Sequence, residues 1–455
     1  SQKSLNIQPS NPIALANLGS ALKEIGDFKN AEKLLLESLR LQPENPVTLT
    51  AMGFLHLANN NLSNALTVAK NAIYIDSSSS KAQLLFAKVL EAQGQLAEAK
   101  TTFWKSLHLD HRNTGAILSL SCQKITREET SELLAALNQL NKDHLNASDL
   151  VSLQYAYANL HHKLREYDLA SKYLREAHKA KSIFTKSNSH SLNNNIDYFR
   201  LQSRQIPPAN AEDSSTKRVF IVGMPRCGST LLESVLSTNP NAKGLGESKA
   251  LKPAIQELIE RLRSDPKSQP SLEDLYAHNI DPGKPGNMEF TIDKQLLNFM
   301  FSGLIASQMP QAKIIHCRRN PLDNILSMLR NNLGCGSEFT ISAYDSALVL
   351  IEQEKAMLEY KEKYVTQIFT FDYNSFVNNP RKTIQPLIEW LGFEWEENYL
   401  HPERNIRPVN TASVVQARQP INNKSLNGWK NYKDLLEPAQ KLIYDCGLFK
   451  EYDIF

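Results

Sequence analysis

Residues 218–236 read RVFIVGMPRCGSTLLESVL, and no other stretch limits the fold as strongly. The apolar β-formers Val219 to Val222 run into Gly223, a short loop follows, and an apolar-periodic helix opens at Ser229 or Thr230. A strand, a glycine-bounded loop and a helix N-terminus make an anion cradle, because unpaired N–H groups and the helix dipole point at the same spot. The loop reads G-x-x-x-x-G-S-T, one residue away from the nucleotide-binding G-x-x-x-x-G-K-[ST]. Ser229 stands where that lysine would reach the β- and γ-phosphates, and the nearby positive charge is Arg226, inside the loop. Such a loop is a poor candidate for ATP or GTP hydrolysis. It suits a 5′-phosphate carrying one further anionic group.

From Lys217 onward strands alternate with helices, which implies a parallel sheet with helices on both faces. A helix is expected over about 249–263, then a polar, proline-rich loop from Asp265 to Gly286 as the disordered or lid segment. Ile292-Asp293-Lys294 precedes a helix running through Gln308. Ala312 to Cys317 is a strand entering Arg318-Arg319, and a helix from Leu322 carries Ser327. Ile368 to Phe371 is the last clear strand, and the tail from Asn405 reads as loop-rich. In a nucleotide hydrolase one of these strands would end in an aspartate that helps hold magnesium. The corresponding stretch, Lys313 to Arg319, ends in two arginines instead. Guanidinium forks bind phosphate in bidentate fashion without a metal, although a solvated strand end or helix salt bridges would explain the pair equally well.

The first third repeats with a period of 34. Gly19, Gly53 and Ala87 keep that step, as do Ala31, Ala65 and Ala99, and Ser38, Ala72 and Ser106. Small residues at these places let paired helices approach closely, and Leu15, Leu18, Leu22 and Leu35 supply the apolar stripe between them. This is the tetratricopeptide pattern. The period weakens after residue 113, returns over Leu150 to Lys181, and breaks at polar Thr185 to Asn195, before a short helix at Ile196 to Gln202. The expected organisation is an all-α tetratricopeptide solenoid over 1–202, a linker over 203–216 and an α/β domain over 217–455. Leu5 to Pro9 matches Leu39 to Pro43 at the same spacing, so the chain is expected to start inside a longer repeat array. The repeats read as a scaffold or as a groove for a peptide, and the residues alone leave both open.

A net charge of +3 over 455 residues gives no global argument for nucleic acid, so any basic site must be local. No apolar run approaches the ~18–20 residues of a membrane span, and no secretion signal is visible. The five cysteines are scattered, without a C-x-x-C or metal-ligand spacing. Reduced thiols in a cytoplasmic protein are the expectation.

The loop G-M-P-R-C-G-S-T-L-L-E resembles the 5′-phosphosulfate loop of sulfotransferases that use PAPS (3′-phosphoadenosine 5′-phosphosulfate). Its variant is similar to the tetratricopeptide-containing sulfotransferases of bacteria and, more distantly, to the tyrosylprotein sulfotransferases. The resemblance is loose over the repeats and firm from about Lys217 to Lys430. It implies that Arg226, Cys227, Gly228, Ser229 and Thr230 hold the 5′ end of the cofactor, with Cys227 standing where relatives have Ser or Thr. An arginine followed eight residues later by a serine holds the 3′-phosphate in that family, which maps to Arg319 and Ser327. Tyr373 matches a cofactor-binding tyrosine, though it reads as well as a core aromatic. Gly428-Trp429-Lys430-Asn431 echoes a glycine-rich cofactor segment and adds Lys430.

Transfer of a sulfuryl group needs a general base for the acceptor hydroxyl and fixed cations for the developing charge, and requires no metal or covalent intermediate. Glu247 lies 21 residues after Arg226, the offset of the catalytic glutamate in the tyrosylprotein enzymes, and is the expected base. Those enzymes carry a second acidic residue next to it, where this chain has Ser248. Lys294 resembles the family lysine that contacts the leaving oxygen, with Arg226 sharing that duty, and Ser413 a late serine that hydrogen-bonds the sulfate. His316 reads as a buried strand residue. The implied reaction takes PAPS and an acceptor hydroxyl to a sulfate ester and PAP (adenosine 3′,5′-bisphosphate). A tyrosine in a peptide, docked by the repeats, is the favoured acceptor; a carbohydrate or small-molecule hydroxyl is the alternative. The rivals are a nucleotide kinase and a repeat-based interaction protein with an inactive transferase domain.

Overall fold

A computed structural model describes residues 11–140, 145–209, 216–265, 270–280, 289–405, 407, 411 and 413–455. The matched stretch Leu5 to Pro9 therefore lies outside the described residues. The chain divides into two compact units, Ser1–Lys186 with Arg330–Glu338 and Ile406–Val415, and Ser187–Leu329 with Phe339–Asn405 and Gln416–Phe455.

The first unit is a run of paired helices: Pro12–Glu24 with Phe28–Leu41, Pro46–Ala58 with Leu62–Ile75, and Ser80–Gln93 with Leu96–Leu109. Thr114–Cys122, Arg127–Gln139, Ala147–Lys163 and Tyr167–Ser182 continue it. Asn11, Asn45, Ser79 and Asn113 cap the leading helix of successive pairs by accepting backbone N–H groups, and they keep the 34-residue step. The small residues act as the pattern requires. Ala31, Ala65 and Ala99 are fully buried, and a Cβ on Gly53 would lie 2.3 Å from Leu85 Cδ2. The solenoid is thus written twice, in the buried stripe and in the caps.

The second unit is built on five parallel strands in the order β2-β3-β1-β4-β5. They are β1 (Lys217–Gly223), β2 (Ala242–Gly246), β3 (Phe290–Asp293), β4 (Lys313–Arg318) and β5 (Ile368–Asp372). Alternation along the strands serves two buried faces. Val219, Ile221, Ile292 and Ile315 pack with Leu232 and Val235 of the helix Ser229–Leu236 and with Ile384 and Leu387 of the helix Pro380–Leu391. On the opposite face Phe220 meets Tyr276 of the helix Leu272–Asn279, and His316 meets Gln353 of the helix Ala343–Lys363. The chain leaves β1 toward β2 and β3, then crosses to β4 and β5. The β1–β4 boundary is therefore the switch point, outside whose carboxyl end ligands bind in open α/β sheets.

Several elements depart from the sequence reading. Where polar residues suggested a break and a short helix, a helix spans Ser189–Gln205, burying Leu192 and Ile196. It groups with the second unit, and Arg200 pairs with Glu359 of that unit at 2.5 Å. The linker expected over 203–216 thus opens inside a helix, and its residues 210–215 lie outside the described ones. Within the expected loop Asp265 to Gly286, Ser271 caps the helix Leu272–Asn279, whereas 266–269 and 281–288 lie outside the described residues. The tail read as loop-rich contains the helix Lys433–Cys446.

Candidate active site

The loop between β1 and the helix Ser229–Leu236 is strained. Arg226 has φ of +69° and Gly228 φ of +102°, so successive peptide groups turn inward ahead of the helix Ser229–Leu236. Glycine is the only residue type that fits at 228: a Cβ there would sit 2.3 Å from Tyr373 Cδ2. Ser229 and Thr230 are buried at the helix start.

Three side chains from the end of β4 and the helix that follows hold this loop in shape. Arg319 donates from one terminal nitrogen to the Arg226 carbonyl at 3.1 Å and from the other to the Ser425 carbonyl at 3.0 Å. Asn324 donates to the Pro225 carbonyl at 2.7 Å, and Arg226 Nε donates to Ser327 Oγ at 3.2 Å. Arg319 also lies over the Tyr373 ring, 4.9 Å from its centroid. The Tyr373 hydroxyl is 3.0 Å from Ser425 Oγ. The expected clamp residues Arg319, Ser327 and Tyr373 are therefore brought together with Arg226.

Asn324 and Asp323 were missed by sequence reasoning. Asn324 was findable, because it shares a helix face with Ser327 three residues on. Asp323, in the helix Pro321–Leu329, accepts the Asn427 N–H at 2.7 Å and the Trp429 N–H at 3.0 Å, anchoring the Gly428–Tyr432 turn. Lys430 in that turn forms an ion pair with Asp453 at 2.6 Å. Arg318, the other arginine of the pair, bridges Glu354 at 3.0 Å and Glu451 at 2.6 Å. It is structural, as one reading of the pair allowed.

Cys227 is buried against Cys317 at the β1–β4 boundary. Against the effect of burial, hydrogen bonds from Cys317 and Ser229 hold the Cys227 thiol below its ordinary value. Burial, together with donation to Cys227, pushes Cys317 well above it. His316 is buried, and burial pushes its imidazole down to about 3, so it is a neutral core residue.

Glu247 and Lys294 meet at the ends of β2 and β3. Lys294 Nζ donates to Glu247 Oε1 at 2.6 Å, with the lysine side chain 1% exposed and the carboxylate 49% exposed. A buried ammonium thus faces an accessible carboxylate. Asp293 precedes the lysine and accepts the Tyr276 hydroxyl at 2.9 Å. Burial pushes the Asp293 carboxyl up to about 7, against its hydrogen bonds from Gln295 and Tyr276. Ser413 falls in the first unit, where its N–H donates to Thr411 Oγ1 at 3.2 Å.

Among the described residues no group of three or more His, Cys, Asp or Glu side chains is placed to share a metal ion. No described helix is long and apolar enough to cross a membrane.

A strained glycine-bounded loop, an arginine and a serine packed against it, and a glutamate–lysine pair at the carboxyl end of the sheet define a phosphate-loop-like α/β fold. Residues 218–397 match the model of the sulfotransferase family, and residues 13–45 that of the tetratricopeptide repeat. The chain therefore carries a sulfotransferase-family domain preceded by tetratricopeptide helices.

An uncharacterized protein of Aquifex aeolicus (strain VF5) is 28% identical over 249 residues, 51% of this chain and 33% of that protein. Protein-tyrosine sulfotransferase 1 of Danio rerio is 21% identical over 234 residues, 46% of this chain and 65% of that protein. The matched stretches thus span less than two thirds of either relative. The sulfotransferase domain of the Synechococcus PCC 7002 olefin synthase is 19% identical at a TM-score of 0.37, covering 54% of this chain and 98% of that one. A mouse sulfotransferase complexed with PAP is 16% identical at a TM-score of 0.35, covering 53% and 91%.

Proposed function

We propose that this protein transfers the sulfuryl group of PAPS to an acceptor hydroxyl and releases PAP. The observation that carries the reading is the Lys294–Glu247 ion pair, a shielded cation against an accessible carboxylate at the same end of the sheet as the phosphate loop. The residues present fit the donor. Gly228 lets the loop turn against Tyr373, where a Cβ would lie 2.3 Å from the ring, and Arg319 Nε is buried with no hydrogen-bond partner. Loop residues Arg226 to Thr230 hold the 5′-phosphosulfate, while Arg319 and Ser327 hold the 3′-phosphate, with Tyr373 beside them. The donor supplies the group to be transferred. Glu247 takes the proton from the acceptor oxygen, and Lys294 and Arg226 face the charge that develops on the leaving side.

The acceptor class follows the named relative from Danio rerio: a tyrosine hydroxyl in a peptide, with the repeat helices as the docking element.

The test is incubation with PAPS in the presence of EDTA and three acceptors: a tyrosine peptide, an oligosaccharide and a simple phenol. PAP release with the tyrosine peptide is the expected result. Release with the sugar or the phenol alone moves the acceptor class. Release with none, under conditions where PAP binds, contradicts the activity.

A further inference from the structure

Glu233 is a buried carboxylate at the reaction end of the sheet that the chemistry above leaves unused. It lies in the helix that opens at the phosphate loop, and it is 1% exposed. Its Oε1 accepts the Gly246 N–H at 3.0 Å. The Gly246 carbonyl in turn accepts the Lys294 N–H at 2.9 Å. Both peptide groups flanking the Gly246 α-carbon are therefore tied, one to the phosphate-loop helix and one to the lysine's own backbone.

Gly246 needs that restraint. Its φ of +68° turns the chain out of β2 just before Glu247. The pairing of β2 with β3 shifts register between Gly244 and Gly246, so the ladder loses its regular pattern there. A neutral side chain would satisfy the N–H at a smaller desolvation penalty than a carboxylate. Glu233 lies close enough to Asp293 to add to the rise of that carboxyl.

We propose that Glu233 is a positioning residue for sulfuryl transfer: through the Gly246 peptide it sets the Glu247 carboxylate against Lys294 Nζ. The inference rests on the reading of Glu247 as the base.

The test compares Glu233→Ala and Glu233→Gln in the full chain. It uses kcat with PAPS and acceptor, PAP affinity by calorimetry, and the Gly246 amide resonance in glycine-labelled protein. Glu233→Ala is expected to lower kcat by roughly 10–100-fold, as small misplacements of a reacting group do. PAP affinity should change by no more than about twofold, because the loss falls on the transition state. The Gly246 amide should move upfield as its hydrogen bond is lost. Glu233→Gln keeps an oxygen in place and should recover most of kcat.

A fall of PAP affinity in step with kcat overturns the inference, since the helix start rather than the base would be disturbed. So does a Gly246 amide that stays put, or a Glu233→Ala chain as active as the parent. If Glu233→Ala does not fold, Glu233→Gln decides alone: a Gly246 amide identical to the parent's with kcat retained supports the inference, and a large loss of kcat overturns it. A Glu247→Gln chain as active as the parent overturns the base reading and this inference with it, which separates the two failures.

Discussion

Lys294 Nζ sits 2.6 Å from Glu247 Oε1, the ammonium shut off from solvent and the carboxylate half open to it. Removing the lysine would leave the carboxylate hydrated and without its shielded cation. The pairing holds one carboxylate oxygen in place and leaves the other side of the group accessible, which is the arrangement a general base needs.

Lys294→Met tests the cation while keeping an apolar stem in the buried slot. Electrostatic groups aimed at developing charge are worth roughly 10²–10³ in kcat. A loss of that size is expected in steady-state transfer, with PAP affinity by calorimetry little changed. A kcat within about tenfold of the parent would show that Arg226 alone carries the charge.

Ser327→Ala removes the hydroxyl that accepts from Arg226 Nε at 3.2 Å. A hydrogen bond to a charged group is worth about 1.5–3 kcal/mol, so PAP should bind roughly 10-fold more weakly or worse. ADP, which lacks the 3′-phosphate, should lose less. Equal losses for PAP and ADP would remove the 3′-phosphate role from this residue.

Gly228→Ala adds a Cβ at φ +102° and 2.3 Å from Tyr373. Backbone strain of this kind is on the order of 1–3 kcal/mol. The melting temperature should drop, and PAP and ADP binding should both fail because the cradle opens. Unchanged PAP binding would mean that the loop tolerates another path.

Asp293→Asn makes a prediction with a sign. The carboxyl titrates ordinarily at 3.8 and in the fold at about 7. Between those values the folded state keeps a proton that the unfolded chain has lost, so the parent loses stability as pH rises from about 4 to about 7. The asparagine chain lacks that term. Its stability relative to the parent, from urea unfolding, should grow by roughly 2–4 kcal/mol from about pH 4 to about pH 8. Glu354, also pushed up by burial to about 7, contributes equally to both chains. A difference that does not vary with pH contradicts the assignment.

What the sequence shows plainly is a short local pattern or the regular recurrence of one. The phosphate loop, the Arg319–Ser327 spacing and the 34-residue step all belong to that class, and so did the caps Asn11, Asn45, Ser79 and Asn113, had their spacing been read. The helix Ser189–Gln205 was hidden because Asn193 to Asn195 have weak helix propensity. Burial of Leu192 and Ile196 and the Arg200–Glu359 pair override it. The helix Lys433–Cys446 was masked by Pro438, which removes one backbone bond and reads as a breaker. Leu436, Ala439 and Ile443 bury enough apolar surface to offset the loss. Glu233 has no sequence signal, since its bond to Gly246 forms at a register shift in β2 that no local pattern records.

The most direct test of the central claim is single-turnover transfer from PAPS by the Glu247→Gln chain, with PAP affinity measured on the same preparation. General-base loss predicts a rate lower by ~10²–10⁴-fold with PAP binding retained. A Glu247→Gln chain that transfers as fast as the parent would contradict the account.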